Sequence, residues 1–415
     1  MRILRLFGLL VCCICFCPGC AFFTESVSGD ALPLADSAAS GLLASRLQYI
    51  DEAVKESIKA GELPGAVVLA ARHGKIVYFK AFGNRVAGTA SEPMTTDTIF
   101  DIASLTKVVA TTPAIMQLAE KGKLRFGDKV KRYLPAFTGG GKENITVRQL
   151  LTHYSGLRPD FDLSREWSGY RAAMEELWKE KTVTEPGTAF AYSDLNFIAL
   201  GEIVHAVTGQ TLDVYSREHI FAPLGMRETC FLPPAAWVPR IAPTEYRKNT
   251  LGYLKGQATN PASGKMLRGE VHDPTAGRMG GVAGHAGLFS DAGNLAIYAQ
   301  TLLNQGIAPG KKESAGGERI LSAAAVSAMT RPQSPPAATQ IRGYGWDIDS
   351  SYSSPRGDLF SGGYGHTGFS GTSMWIHPPT DSFIIILSNR LHPNGGKDIS
   401  HLRGAIANIV ASAIE

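Results

Sequence analysis

Cysteine is almost absent from the body of this chain. Five of its six cysteines (Cys12, Cys13, Cys15, Cys17 and Cys20) fall within the first twenty of 415 residues, and only Cys230 lies beyond them. A disulfide framework in the body is therefore excluded, as is a cysteine-based zinc site. Cys230 on its own reads as a small hydrophobe. Net charge is also scarce. Lys and Arg number 41 against 37 Asp and Glu, which leaves +4, and so slight an excess gives no sign of nucleic-acid binding. The His-Glu-x-x-His zinc signature and the Gly-x-Ser-x-Gly nucleophile elbow are both missing. Gly363-Tyr-Gly365-His-Thr-Gly368 matches the dinucleotide pattern, but a strand follows it where that pattern needs a helix. No cofactor and no metal are expected.

What is present is core material. Hydrophobic residues make up 44% and charged residues 19%, which excludes disorder and coiled coil as the main architecture. The chain is long enough for two or three structural units, or one large core with an insertion. Arg2 and Arg5 precede an apolar run from Leu6 to Cys17, broken by Pro18-Gly19. That order of charge, apolar run and small residues is a secretory signal, and it is too short and interrupted for a spanning helix. Cys17-Pro18-Gly19-Cys20 resembles a bacterial lipobox, with Cys20 as the lipidated residue; ordinary cleavage after Ala21 is the alternative. The expected location is the periplasm or cell envelope, with a lipid anchor if Cys20 is modified. Residues 21–41, rich in Ser, Ala, Asp and Gly, read as a flexible tether.

Leu43, Leu47, Ile50, Val54 and Ile58 recur at three- and four-residue steps and predict an amphipathic helix. Ala66–Ala71 and Lys75–Phe82 predict two strands joined at His73-Gly74. Helical patterns dominate from Ser104 to about Gly225. Thr372–His377 and Phe383–Ser388 then predict a buried strand pair, and His401–Ile414 a closing helix. Strands at both ends around a helical block predict an α+β fold: an antiparallel sheet flanked by helices, with a mostly helical insertion. The expected boundaries are 42–103 plus 270–415 for the sheet domain and 104–269 for the helical one.

Ser104-Leu-Thr-Lys107 carries the chemistry if it opens a helix. Three residues apart, Ser and Lys share one face. The hydroxyl sits at the positive helix end, with the amine in reach of it. Packed under apolar neighbours, Lys107 should lose its proton more easily and accept one from the serine. Two further triplets follow at element boundaries: Tyr192-Ser-Asp194 and His366-Thr-Gly368. Each alone reads equally well as an ordinary turn; the ordered set does not.

With these motifs the chain resembles the serine β-lactamase and penicillin-binding protein superfamily, in its class C β-lactamase-like branch. The marks of that branch are Ser-x-x-Lys, Tyr-x-Asn or a variant, and Lys-Thr-Gly or His-Thr-Gly. Leu150-Leu-Thr-His-Tyr-Ser-Gly156, Glu185-Pro-Gly-Thr-Ala-Phe-Ala-Tyr-Ser193, Val271-His-Asp273 and Gly284-His-Ala-Gly-Leu-Phe-Ser290 resemble the type-4B penicillin-binding proteins most. The likeness spans roughly residues 42–415. It implies the β-lactamase/transpeptidase-like fold and makes Ser104 the acylated nucleophile, with Lys107 and Tyr192 sharing the proton work. The oxyanion hole would be the N–H groups of Ser104 and Phe369. Asp194, His366, Thr367 and Gly368 would contact substrate.

Two residues depart from the class C pattern. Asp194 stands where Asn is usual; when ionised it only accepts hydrogen bonds, and it is suited to hold Lys107 or another cation. His366 stands where Lys is usual, so a permanent cation is lost. If His366 faces substrate, carboxylate-bearing acyl donors should react better as pH falls toward 6. His272, Asp273 and His285 read either as pocket lining or as loop hydrogen bonding, and His153 and Tyr154 as structural. The resulting expectation is an exported serine hydrolase with an acyl-enzyme on Ser104, acting on cell-wall peptide as a D,D-carboxypeptidase-like or penicillin-binding enzyme. The rivals are a carboxylesterase, a β-lactamase, and a catalytically silent peptidoglycan-binding module.

Overall fold

Alternation of period two organises the centre of the molecule. In the strand Gly65–Arg72, Val67, Leu69 and Ala71 enter one core while Ala66, Val68 and Ala70 enter another. The strand Ser382–Ser388 repeats the pattern, with Phe383, Ile385 and Leu387 against Ile384 and Ile386. Successive side chains point to opposite faces of a sheet, so strands apolar at every position must be covered on both. Helices Tyr49–Lys59 and Ser400–Ala413 cover one face through Ile50, Val54, Leu402, Ile406 and Val410. The helical block covers the other. Each buried Val, Leu or Ile there contributes roughly 1.5–3 kcal/mol.

This computed structural model describes residues 32–247, 265–310, 319–393 and 395–415. The export signal, Cys20 and the first part of the expected tether lie outside the described residues. Among the described residues, eight strands form one antiparallel sheet. Their spatial order is Glu92–Pro93, Lys75–Val86, Gly65–Arg72, Ser382–Ser388, Ser373–His377, Tyr364–Thr367, Asp347–Asp349 and Ile341–Arg342. The expected mixture of helices and antiparallel sheet is what the structure has. A smaller sheet joins Phe100–Asp101, Leu288–Ser290 and Cys230–Phe231. No helix among the described residues is long and apolar enough to cross a membrane.

Three local differences from the sequence reading have simple causes. The helix expected across Leu43–Ile58 is two, Ala44–Leu47 and Tyr49–Lys59. The helix beyond Ser104 begins with a π-turn, Lys107–Thr111, before the α-helix Thr112–Glu120; such turns recur at functional sites. Residues 32–41, expected as tether, are hydrogen-bonded to the sheet. Ala35 N–H donates to the Ile76 carbonyl at 2.9 Å, Ile76 N–H donates to the Pro33 carbonyl at 2.9 Å, and Arg72 donates to the carbonyls of Ser40 and Gly41. Paired backbone is not a free linker.

Candidate active site

Ser104 is placed by the small sheet. Phe100–Asp101 pairs with Leu288–Ser290, and Ile102 N–H extends the contact to the Leu288 carbonyl at 3.0 Å. Ala103 then turns through a left-handed φ of 48°, a strained conformation for a residue with a Cβ. The helix follows at once. The His366–Gly368 strand end is brought to the same point by side chains. Ser370 Oγ donates to the Asp101 carbonyl at 2.7 Å, and Thr372 Oγ1 to the Ile102 carbonyl at 2.9 Å. A Cβ on Gly368 would meet Thr372 Oγ1 at 2.1 Å and the Ile102 carbonyl at 2.5 Å, so only glycine permits this approach. Arg403 secures the turn by donating to the carbonyls of Gly368 and Thr372.

Lys107 is fully buried. Its Nζ donates to Ser104 Oγ at 2.9 Å and to the His285 carbonyl at 3.0 Å, and it lies 2.6 Å from Asp194 Oδ1. The three-residue spacing thus does place amine and hydroxyl together. The expected apolar surroundings, however, are overturned. Burial works against the ammonium, but the Asp194 carboxylate, helped by the Tyr192 side chain, outweighs it, and Lys107 is held above its ordinary value. A paired cation faces Ser104, not a neutral amine.

Asp194 opens the helix Asp194–Thr208, which fixes the direction of its carboxylate. Tyr192, two residues earlier, has its ring 5.0 Å from Lys107 Nζ. His153 stacks on it with ring centroids 4.4 Å apart. His153 Nδ1 accepts from Ser193 N–H at 3.1 Å, and burial, with Arg342 and Lys107 nearby, pushes its pKa well down. The residue read as structural is therefore a neutral plate behind Tyr192.

Ser104, Tyr192, His366, Thr367, Gly368 and Phe369 all line one cavity of about 250 Å³. Lys107 and Asp194 lie behind its wall. The N–H groups of Ser104 and Phe369 donate no backbone hydrogen bond among the described residues. His366 corrects a second expectation. It is 4% exposed, its Nδ1 lies 2.8 Å from the Thr367 carbonyl, and burial with Arg342 and Lys107 holds it far below its ordinary value. Its surroundings favour the neutral ring, against the expected acid-dependent cation. Arg390 lines the same cavity, partly exposed, with its guanidinium 5.0 Å from the Phe369 ring centroid. Arg342, also in the wall, is fully buried and paired with Asp347 at 3.2 Å.

Arg342, Asp347, Tyr352 and Arg390 were not found from sequence; each stands alone in a loop or at a strand end, with no spacing to mark it. Of the polar residues left open there, Asp273 caps the helix Pro274–Arg278 through Ala276 N–H, and His285 Nε2 lies 2.8 Å from Asp273 Oδ1. Ligand-type atoms of Asp194, Asp273 and His285 lie within 4.8 Å of one another. The Lys107 ammonium already holds the Asp194 side of that group.

The chain matches the family model described as Beta-lactamase over residues 50–408. It is 33% identical over 379 residues to a protein of Escherichia coli (strain K12) named "Putative D-alanyl-D-alanine carboxypeptidase", covering 85% of this chain and 84% of that one. It is also 33% identical over 374 residues to the N-acetylmuramyl-L-alanine amidase of Bacillus subtilis (strain 168), covering 84% and 81%. A solved class C beta-lactamase superposes with a TM-score of 0.69 at 19% identity, covering 89% of this chain and 97% of that chain. EstCE1, a hydrolase with promiscuous acyltransferase activity, superposes at 0.67 and 24%, covering 90% and 100%. These two structures show likeness of fold.

Proposed function

We propose, from the premise that this chain belongs to the β-lactamase family of serine hydrolases, that it is an exported enzyme that cleaves amide bonds of cell-wall peptide as a D,D-carboxypeptidase-like hydrolase. The observation that carries this reading is Lys107 Nζ, 2.9 Å from Ser104 Oγ and 2.6 Å from Asp194, at the back of the cavity. The ammonium donates to the serine oxygen, so the serine's own proton is directed elsewhere. Tyr192 takes that proton as it hands its own to the leaving nitrogen. The Ser104 Oγ–carbon bond forms, the carbon–nitrogen bond breaks, and the amine departs neutral. The N–H groups of Ser104 and Phe369 hold the oxyanion, and Thr367 lines the path of substrate. Water reverses the sequence through Tyr192 and frees the acid.

A terminal carboxylate needs a cation. His366 is neutral, and Arg390 is the partly exposed one in the cavity wall. The named relative in Bacillus subtilis favours a second reading, cleavage of the bond between N-acetylmuramic acid and L-alanine. One digestion separates the readings. A muramyl pentapeptide should lose D-alanine; release of the intact peptide instead identifies the amidase. Turnover of a nitrophenyl ester with neither product identifies an esterase, and no turnover of any of them would leave only the silent binding module.

A further inference from the structure

Behind Lys107 the charges do not balance with the catalytic residues alone. Asp194 and Asp273 place carboxylate oxygens within 4.8 Å of each other and of a His285 ring nitrogen. Asp160 joins them from the preceding loop, its carboxylate 3.0 and 2.9 Å from Thr275 Oγ1. Three carboxylates thus converge; among the described residues Lys107 is the permanent cation bonded to them, while Arg158, near Asp160, is paired with Glu180. His285 is 1% exposed, and its Nε2 lies 2.8 Å from Asp273 Oδ1 while its carbonyl accepts from Lys107. The loop reaches this depth because Gly284 has no Cβ; one there would meet the Phe197 carbonyl at 1.9 Å.

We propose that His285 and Asp273 are positioning residues of the serine chemistry: an imidazolium anchored on Asp273 takes up part of the charge of Asp194, so that the Lys107 ammonium keeps its field on Ser104. This rests on the reading of Lys107 as the group that polarises Ser104. The groups facing His285 are Asp273, Asp194, Asp160 and Lys107. Burial opposes its charge, but Asp273 and Asp194 outweigh it and hold it above its ordinary value. Asp160 supplies the remaining adjustment. Burial, then the charges of Asp273 and Asp194, push it up to about 7, so it can keep a proton when the cluster would otherwise be one negative charge over. The effect should appear in the chemical step, since a field on Ser104 stabilises the developing alkoxide more than bound substrate.

The test uses a neutral ester across pH 5.5 to 9.5 in the unmodified protein, His285→Gln and Asp273→Asn. Gln keeps the backbone carbonyl that Lys107 uses, and Asn keeps an N-cap for the helix Pro274–Arg278. Both variants should lose about tenfold in kcat with little change in KM. The alkaline fall in rate that accompanies loss of the imidazole proton should vanish in both. Nitrogen-15 spectra should show His285 doubly protonated at pH 7 and singly protonated in Asp273→Asn. A neutral His285 in the unmodified protein, or a uniform drop with the pH profile unchanged, overturns the proposal. Lys107→Met separates the two ideas. Full activity in that variant would remove the underlying reading, whereas its inactivity beside a fully active His285→Gln removes only this one.

Discussion

Replacing Asp194 by Asn tests the central ion pair, because it removes one charge and keeps the shape. Lys107 has a fully buried side chain, and besides Asp194 it is hydrogen-bonded to Ser104 Oγ, the His285 carbonyl and the Tyr192 side chain, none of them a carboxylate. Breaking a buried pair from one side costs about 3–5 kcal/mol, since an uncompensated charge stays behind. The low end, about 3 kcal/mol, applies here. The Asn oxygen still accepts a hydrogen bond, and Asp160 can ionise once the Asp194 charge that helped hold its proton is gone. Part of the loss should return with alkali. In Asp194→Asn, burial is no longer outweighed, so the folded-state pKa of Lys107 falls below the unfolded value of about 10.4. Between those two values the unfolded chain binds more protons, and stability rises by roughly 1.4 kcal/mol per pH unit. In the unmodified protein Lys107 is held above its ordinary value and stays protonated in both states over that range. Its contribution is therefore flat there. Urea unfolding of both proteins at pH 7, 8, 9 and 10 measures the gap. A deficit below 1 kcal/mol, or one that does not narrow with pH, would refute the claim that Asp194 compensates a buried cation.

Ser104→Ala should abolish turnover, and mass spectrometry after a slow acylating ester should place the adduct on the peptide containing Ser104; an adduct elsewhere ends the mechanism. Lys107→Ala and Tyr192→Phe should each cost nearly as much as the double variant, because the two act as one unit, and additive losses in kcat would contradict that. The relative rates for a penicillin and a neutral ester should not diverge between pH 7 and 6, since burial beside Arg342 and Lys107 disfavours the His366 cation. Arg390→Gln should instead weaken acylation by the penicillin about tenfold while sparing the ester, as loss of one partly exposed ion pair of about 1.4 kcal/mol implies. Cys20→Ala should release the protein from the detergent phase, and a mature N-terminus at Phe22 would mean ordinary cleavage.

The meeting of Ser104 and Lys107 was legible, because there the chain itself brings residues together. Ser104 and Lys107 meet because three residues make nearly one helical turn, and the apolar residues of Ala66–Ala71 and Phe383–Ser388 predict strands, the second of them buried. The electrostatics were not legible, because they depend on partners far off in sequence. Val108, Val109 and Ala110 made the surroundings of Lys107 look apolar, yet Asp194 reverses the direction of its shift. The family resemblance implied that His366 contacts substrate. In the fold it lies beneath Tyr192 and near Arg342, and burial decides its charge. Asp160 carried no pattern at all; its place depends on where the loop before the helix Tyr170–Lys179 comes to rest. Asp273 and His285 were visible as motifs, but not as neighbours.

The middle of the large sheet is made from opposite ends of the chain: Gly65–Arg72 lies directly against Ser382–Ser388, and Ala66 pairs with Ser388. Beside it, Glu415 N–H donates to the Gly41 carbonyl at 3.1 Å, so the two ends of the folded body meet. A nascent chain cannot close this sheet until its C-terminal strand and helix have been synthesised. Contacts of such long sequence separation fold slowly, because loop closure must come before the burial that compensates it. Losing the C-terminal segment would also remove a central strand and the helix that covers it, so a late nonsense mutation would leave two apolar faces open to aggregation, not a shortened enzyme.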